Sequence, residues 1–313
     1  MRIDAHCDTA VWLEKCPSLR YLSAGHNDYQ RCHDNLDLAF WAIFRHPQGD
    51  QEQIPHQGLT LARLLQKDIA LNADLVKPVL WQEDLDECLL KEDSPALILL
   101  AAEGGELLGE AAQYLPFWFE LGLRSLGLTW NYQNNLGHGC HSQGRLTPLG
   151  EDIIAKCNDC GILLDGAHLA EDSFWQLLAL SNKSIIVSHT ACQALRDHPR
   201  NLSDAQLRAL AERGGVAGIT FIPGFLKAEN GDLDAVTEHI LHGIQIAGID
   251  HIGIGSDFDG GEICPRLKGL ENLYLLWDEL KSKGLSENDV EKIQGGNFYR
   301  ILQENLPSKM NNR

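Results

Sequence analysis

At 313 residues, with 44% hydrophobic and 22% charged side chains, the chain can bury a sizeable core, which excludes intrinsic disorder as a class. Forty-four acidic against twenty-six basic residues give a formal charge of −18, which argues against nucleic acid or an anionic membrane as partner. Nine irregularly spaced cysteines, no secretory leader and no apolar run of about 18 residues lead us to expect reduced thiols in a cytoplasm. The single C-x-x-C, Cys157 to Cys160, has no second pair with which to complete a zinc ribbon.

The chain opens on a short apolar strand, Arg2-Ile3-Asp4-Ala5-His6-Cys7-Asp8-Thr9, that ends in His-x-Asp. Side chains alternate along a strand, so His6 and Asp8 share one wall and Cys7 faces the other way. An imidazole and a carboxylate placed like this suit a divalent metal of borderline hardness, zinc above all, with manganese or cobalt as alternatives. Residues 10 to about 95 are polar, rich in His, Asp and Gln, and broken by Pro17, Pro47 and Pro55. They read as a lid-like insertion followed by helices at 58–76 and 79–90.

From Ala96 the pattern becomes a regular alternation of buried strand and amphipathic helix. Strands are predicted at 96–102, 124–130, 161–165, 184–188, 214–221 and 251–256, with helices at about 111–121, 148–160, 171–181, 203–213 and 234–247. With the opening strand that makes seven, and an eighth is placed near 264–270 or not at all. Helices at 272–283 and 286–304, the last entered through Ser286 as N-cap, close the chain. The pattern predicts an α/β fold, a single (β/α)8 barrel of the TIM type over residues 1–313 with an insertion after strand 1.

In such barrels catalytic groups collect where strands end. The polar residues at the predicted strand exits are His6, Asp8, Glu103, His168, His189 and Asp257, all competent to hold metal or move protons. They are too many for one tetrahedral zinc that must keep a position open for water, so two metals fit better. One carboxylate must then bridge, and Glu103 is suited because Gly104-Gly105 follows it and allows close backbone approach. A metal pair about 3.5–4 Å apart can hold a bridging hydroxide and polarise a carbonyl, the combination that hydrolyses amides and esters. The expectation is a barrel of the metal-dependent hydrolase type. His138 and His141, in the glycine-rich Gly137-His-Gly-Cys-His141, are read as pocket rim and not as ligands. Asp259, second acid of its pair, is read as a hydrogen-bonding loop residue.

The motifs Asp4-Ala-His-Cys-Asp-Thr9, Glu103-Gly-Gly105, Leu128-Thr-Trp-Asn131, Leu146-Thr-Pro-Leu-Gly150, Asp165-Gly-Ala-His168, Ser188-His-Thr190, Pro199-Arg-Asn201, Gly253-Ile-Gly-Ser-Asp-Phe-Asp-Gly260 and Gly295-Gly-Asn-Phe298 fall in an order and spacing that resembles the membrane dipeptidase (renal dipeptidase) family of zinc metallopeptidases, in a microbial cytoplasmic form. The similarity runs from residue 2 to about 304. It implies a (β/α)8 barrel with a binuclear zinc centre that cleaves dipeptides, often as a homodimer. It further implies that His6 and Asp8 hold one zinc, that His168 and His189 hold the other, and that Glu103 bridges them. Asp257 corresponds to the acid/base residue and Arg200 to the arginine that pairs with the substrate carboxylate, a task suited to a planar fork of donors. Trp130 stands where characterised members often carry a histidine thought to touch substrate, and is followed by Asn131, so these two are assigned to a changed substrate pocket. In Asp165-Gly-Ala-His168 an alanine replaces a commoner serine, with little effect expected on metal.

The resulting expectation is a zinc-dependent dipeptidase in which a metal-bridging hydroxide attacks the scissile carbonyl and Asp257 carries the proton to the leaving amine. Two alternatives stand beside it: a binuclear amidohydrolase for a non-peptide or cyclic amide or a lactone, and a non-catalytic metal- or ligand-binding barrel. Metal analysis with a dipeptide panel separates the three.

Overall fold

The computed structural model describes residues 1–50, 52–89, 94–227 and 231–309. The strands among them are β1 (Ile3–Cys7), β2 (Leu38–Phe44), β3 (Val76–Pro78), β4 (Ala96–Glu103), β5 (Leu123–Gly127), β6 (Leu163–Asp165), β7 (Ile186–Thr190), β8 (Val216–Ile219) and β9 (Ile252–Ile254). Eight of them run in the parallel order β1-β2-β4-β5-β6-β7-β8-β9, while β3 pairs only with the first residues of β4, before β5 begins at Leu123. The ring closes just past the ends of β9 and β1. There Asp8 N–H donates to Phe258 C=O at 2.8 Å and Asp257 N–H to His6 C=O at 3.1 Å.

The sequence pattern misplaces one strand. The ring strand missing from the seven is β2, inside the stretch read as an insertion together with the short off-ring β3, and 264–270 is instead taken up by the short 3-10 turns Pro265–Leu267 and Leu270–Asn272. β2 is Leu-Ala-Phe-Trp-Ala-Ile-Phe, apolar on both faces because helices cover one and the barrel interior the other. Such a run has no period by which to tell strand from buried helix, and its polar flanks hide it. The helix Ile54–Leu71 is then the helix that follows β2, so the excursion after strand 1 shrinks to the stretch before Leu38, with the 3-10 turn Thr9–Glu14 and the helix Tyr29–Asn35. Fully buried Trp41 anchors β2, and its truncation to alanine is expected to cost ~3–5 kcal/mol.

Helix boundaries from the sequence agree closely where caps are strong. Pro148–Cys160 starts with Thr147 accepting from Gly150 N–H and stops at Gly161, whose φ of +75° fits the left-handed end. Asp204–Glu212 opens on a reciprocal cap between Ser203 and Gln206. The predicted helix 286–304 is broken into Glu287–Glu291, a π turn Lys292–Gly296 and Asn297–Asn305. The break lets Gly295 lie against Met1 C=O and Ile3 N–H, where any Cβ would collide.

Two apolar layers position the site. Ile3, Ala5, Leu38, Phe40, Leu97, Leu99 and Ala101 cluster with Phe298, Ile301 and Leu302, which makes them the barrel interior, plugged at the N-terminal end of the strands by the last helix. Above that plug, Ala42, Phe44 and Glu103 continue the inward faces of β2 and β4 and line a cavity at the C-terminal ends. No helix among the described residues is long and apolar enough to cross a membrane.

Candidate metal centre

The two strands that carry metal-type histidines both lose register where those residues stand. β1 slips against β2 between Asp4 and Cys7, and β7 slips against β8 between Val187 and Thr190. Beside each slip a buried carboxylate accepts from backbone N–H groups. Asp4 Oδ1 accepts from the N–H of His6 at 3.4 Å and of Ser256 at 2.8 Å, and Asp165 Oδ1 accepts from the N–H of Ala167 and of Ser188, both at 2.9 Å. Each acid thus ties its own chain, two residues on, to a distant segment, Asp4 to the loop just past β9 and Asp165 to β7. Burial pushes the Asp4 carboxyl up to about 6, against the lowering effect of its bonds from Ser256. The sequence reading missed both supports as functional residues. The available signal was an acid two residues before His6 and another three residues before His168.

His6, Asp8, Glu103, His168, His189 and Asp257 converge on one point. Glu103 stands in the middle with its two oxygens divided: Oε1 is 2.6 Å from His168 Nε2 and 3.6 Å from His189 Nε2, while Oε2 is 3.7 Å from His6 Nε2. His6 Nε2 is also 3.3 Å from Asp8 Oδ2 and 3.9 Å from Asp257 Oδ1, and its ring stacks on His189 with centroids 3.8 Å apart. Ligand atoms form three triads, each within 4.8 Å: His6, Asp8 and Glu103; Glu103, His168 and His189; His6, His189 and Asp257.

This donor set fits divalent cations. Burial raises the Glu103 carboxyl well above its ordinary range, and the charge of Asp8 adds to that. Burial alone would lower His6, but the charges of Glu103 and Asp8 outweigh it and push the imidazole up to about 10. His168 and His189 are held well below the usual imidazole value, by burial first and then by the positive charges of Arg200 and His6. Their Nε2 atoms nevertheless face each other at 2.9 Å. Lone pairs and carboxylates crowded in this way repel one another, and cations among them are what reconciles the set.

Backbone geometry aims the remaining groups. His168 and Asp257 both adopt left-handed φ, +67° and +64°, uncommon for non-glycine residues although Asp and His tolerate it better than most. Gly260 is required beside them, since a Cβ there would strike both Asp257 Oδ1 and Asp8 Oδ2. Gly104, at φ +111°, and Gly105, packed against Leu136 and Leu128 C=O, serve the turn after Glu103 and its packing. Burial is also the main reason that the Asp257 carboxyl rises to about 6, with His6 opposing it.

Arg200, Trp130 and Asn131 line the same cavity of about 250 Å³, together with Phe44, Phe225 and Asp259. Arg200 is buried and donates to His189 C=O at 3.2 Å, with its Nε unpartnered. Trp130 packs at 5.1 Å from Phe44, 5.0 Å from His46 and 6.0 Å from His168. Asn131 turns its side chain towards His168, with Oδ1 2.7 Å from Nδ1. Asp259 accepts from the His26 N–H at 2.8 Å and from Thr9 Oγ–H at 2.7 Å, which ties the first loop to the end of β9. Phe44 and His46 were not singled out by the sequence reading because β2 itself was missed. A larger cavity, about 520 Å³, lies between Pro47, Glu106, Gln113 and Asn135 and contains none of the six converging groups.

A parallel barrel that gathers three histidines and three carboxylates at the C-terminal ends of its strands defines a metal-dependent hydrolase. Residues 1–313 match the family model described as Membrane dipeptidase (Peptidase family M19), and the chain belongs to that family. Among solved structures it is similar to a dipeptidase AC, a metallopeptidase of family M19, at 27% identity and TM-score 0.90, over 98% of this chain and 99% of that one. It is also similar to a metallopeptidase from Rhodobacter sphaeroides liganded with a phosphinate mimic of the dipeptide L-Ala-D-Ala, at 26% identity and TM-score 0.87, over 97% and 99% of the two chains. The dipeptidase aclJ of Aspergillus oryzae is 27% identical over 96% of this chain and 76% of its own length. The protein is a metal-dependent dipeptidase.

Proposed function

We propose that the centre holds two zinc ions, one on His6 and Asp8 and the other on His168 and His189, with Glu103 shared between them, and that it hydrolyses dipeptides. The observation that carries this reading is the division of the Glu103 carboxylate, one oxygen towards His168 and His189 and the other towards His6. Ions at these positions would supply Lewis acidity, lowering the pKa of a bound water and polarising the scissile carbonyl.

The chain's own groups do the rest. Asp257, directed into the cavity by its left-handed backbone, takes the proton from the attacking water and delivers it to the departing amine, so that the water's oxygen ends on the carbonyl carbon and a hydrogen on nitrogen. Arg200, its guanidinium over the Phe225 ring, offers its free donors to the C-terminal carboxylate of the substrate. Trp130 and Phe44 form the apolar side against which the substrate lies. A cavity of about 250 Å³ admits a dipeptide and little more. The nine irregularly spaced cysteines support a reducing cytoplasm as the working compartment.

Elemental analysis of the purified protein, beside a panel of dipeptides, their C-terminal amides, tripeptides and cyclic dipeptides, tests the reading. Two zinc ions per chain and turnover confined to free dipeptides are expected. One ion or fewer after zinc addition, or preferred turnover of cyclic amides, overturns it.

A further inference from the structure

We infer that Asn131 is a positioning residue that holds His168 in its metal-binding tautomer, and that the thiol of Cys140 keeps the Asn131 amide turned the right way; the inference rests on the two-ion reading of the centre. Asn131 Oδ1 lies 2.7 Å from His168 Nδ1, and only an N–H on Nδ1 makes that contact a hydrogen bond. The competing tautomer has a strong attraction of its own. Glu103 Oε1 stands 2.6 Å from His168 Nε2, so a proton on Nε2 would be well bonded there and would remove the lone pair that a metal needs. The Asn131 oxygen tips the balance to Nδ1–H and frees Nε2.

The amide is itself held. Cys140 Sγ–H donates to the same Asn131 Oδ1 at 3.2 Å, a bond that turning the amide would exchange for a weaker N–H···S contact. The surrounding backbone closes the clasp: His141 N–H donates to Asn131 C=O at 2.8 Å and Cys140 N–H to His168 C=O at 2.7 Å. Gly139 has no room for a Cβ against Trp130 C=O and the Asn131 backbone, which explains the glycine between His138 and Cys140. The loop that reads in sequence as a pocket rim therefore grips His168 by ring and by backbone, at a residue whose φ of +67° needs such support. Asn131, assigned by sequence to the substrate pocket, lines the cavity and also touches the imidazole.

The test compares the parent with Asn131→Leu, which removes the acceptor, Asn131→Asp, which keeps it, and the pair Cys140→Ala and Cys140→Ser. Each is stripped, reloaded with Co²⁺ and titrated with a chelator, with the visible spectrum as readout and circular dichroism as the check on folding. One of two ions is expected to leave Asn131→Leu at about 10- to 100-fold lower chelator concentration, with Asn131→Asp near the parent and Cys140→Ala weakened more than Cys140→Ser. KM for a dipeptide, measured with saturating metal, is expected to stay at the parental value in Asn131→Leu. Parental retention of both ions with a raised KM overturns the inference and returns Asn131 to the substrate. Should the parent take up one ion only, the two-ion reading fails, while the role of Asn131 stands if that ion leaves Asn131→Leu more readily and falls if it does not. If Asn131→Leu does not fold, Asn131→Ala removes the acceptor without added bulk and takes its place.

Discussion

On the β1 side of Glu103 stand His6 and Asp8, and on the β6–β7 side stand His168 and His189; the two sides differ in charge but not in how the backbone presents them. Each relies on a strand that slips in register, and beside each slip a buried aspartate accepts from its own i+2 N–H and from a more distant one, that of Ser256 or Ser188. The first side is rich in carboxylates, with Asp8, Glu103 and Asp257 raising His6 despite burial. The second is an imidazole pair depressed by burial and by Arg200. On the proposed two-ion reading, charge would draw a cation to the first side, while on the second it would depend on bare Nε2 lone pairs, and so on tautomer control. Barrel geometry supplies one supporting device twice, and the local ligand chemistry makes the two sides unequal.

The largest expected effect comes from breaking the joint between the sides. Glu103→Gln leaves a neutral amide where both sides need a charge, so both ions are expected to weaken and kcat/KM to fall by about 10³ or more, since several kcal/mol of transition-state stabilisation depend on them. Loss of one ion alone, read by elemental analysis, would show that Glu103 belongs to a single side. Next is Asp257, 3.9 Å from His6 Nε2 and able to join either as ligand or as proton carrier. Asp257→Asn is expected to lower kcat by about 10² to 10⁴ with metal content intact. Lost metal would make it a ligand on the β1 side, and near-parental kcat would remove it from the chemistry.

The supporting aspartates sharpen the comparison. Asp4→Ala is expected to weaken metal on the His6 side and Asp165→Ala on the His168 side, each by about 10- to 100-fold. Each variant also leaves two buried N–H groups without an acceptor, at about 1–3 kcal/mol apiece, which chemical denaturation of the metal-free protein measures. Equal weakening of both ions in either variant would mean that the sides are not separately supported. The smallest effect is expected at Arg200, where lysine keeps the charge but loses the fork. Arg200→Lys is expected to raise KM about tenfold with kcat nearly unchanged, and amidating the substrate's C-terminus is expected to hurt the parent far more than the variant. Equal losses in both would place the carboxylate elsewhere.

His6, Asp8, Glu103, His168, His189 and Asp257 were legible in the sequence because strand alternation and the rule that barrel strands end at the site are local facts, readable without coordinates. The amphipathic helices from Pro148 onward were legible for the same reason, through period and caps. β2 was not: a seven-residue strand apolar on both faces has no period, and only its pairing with β1 and β4 identifies it. The register slips, the aspartates beside them and the turn of Asn131 towards His168 were also decided in three dimensions. The partners there lie far apart in the chain, Asp4 with Ser256, Asp165 with Ser188 and Asn131 with His168, and their bonds exist only once the barrel has closed. The sequence by itself determined which side chains could hold a metal; the closed barrel decided which neighbours each one meets and which strand holds it in place.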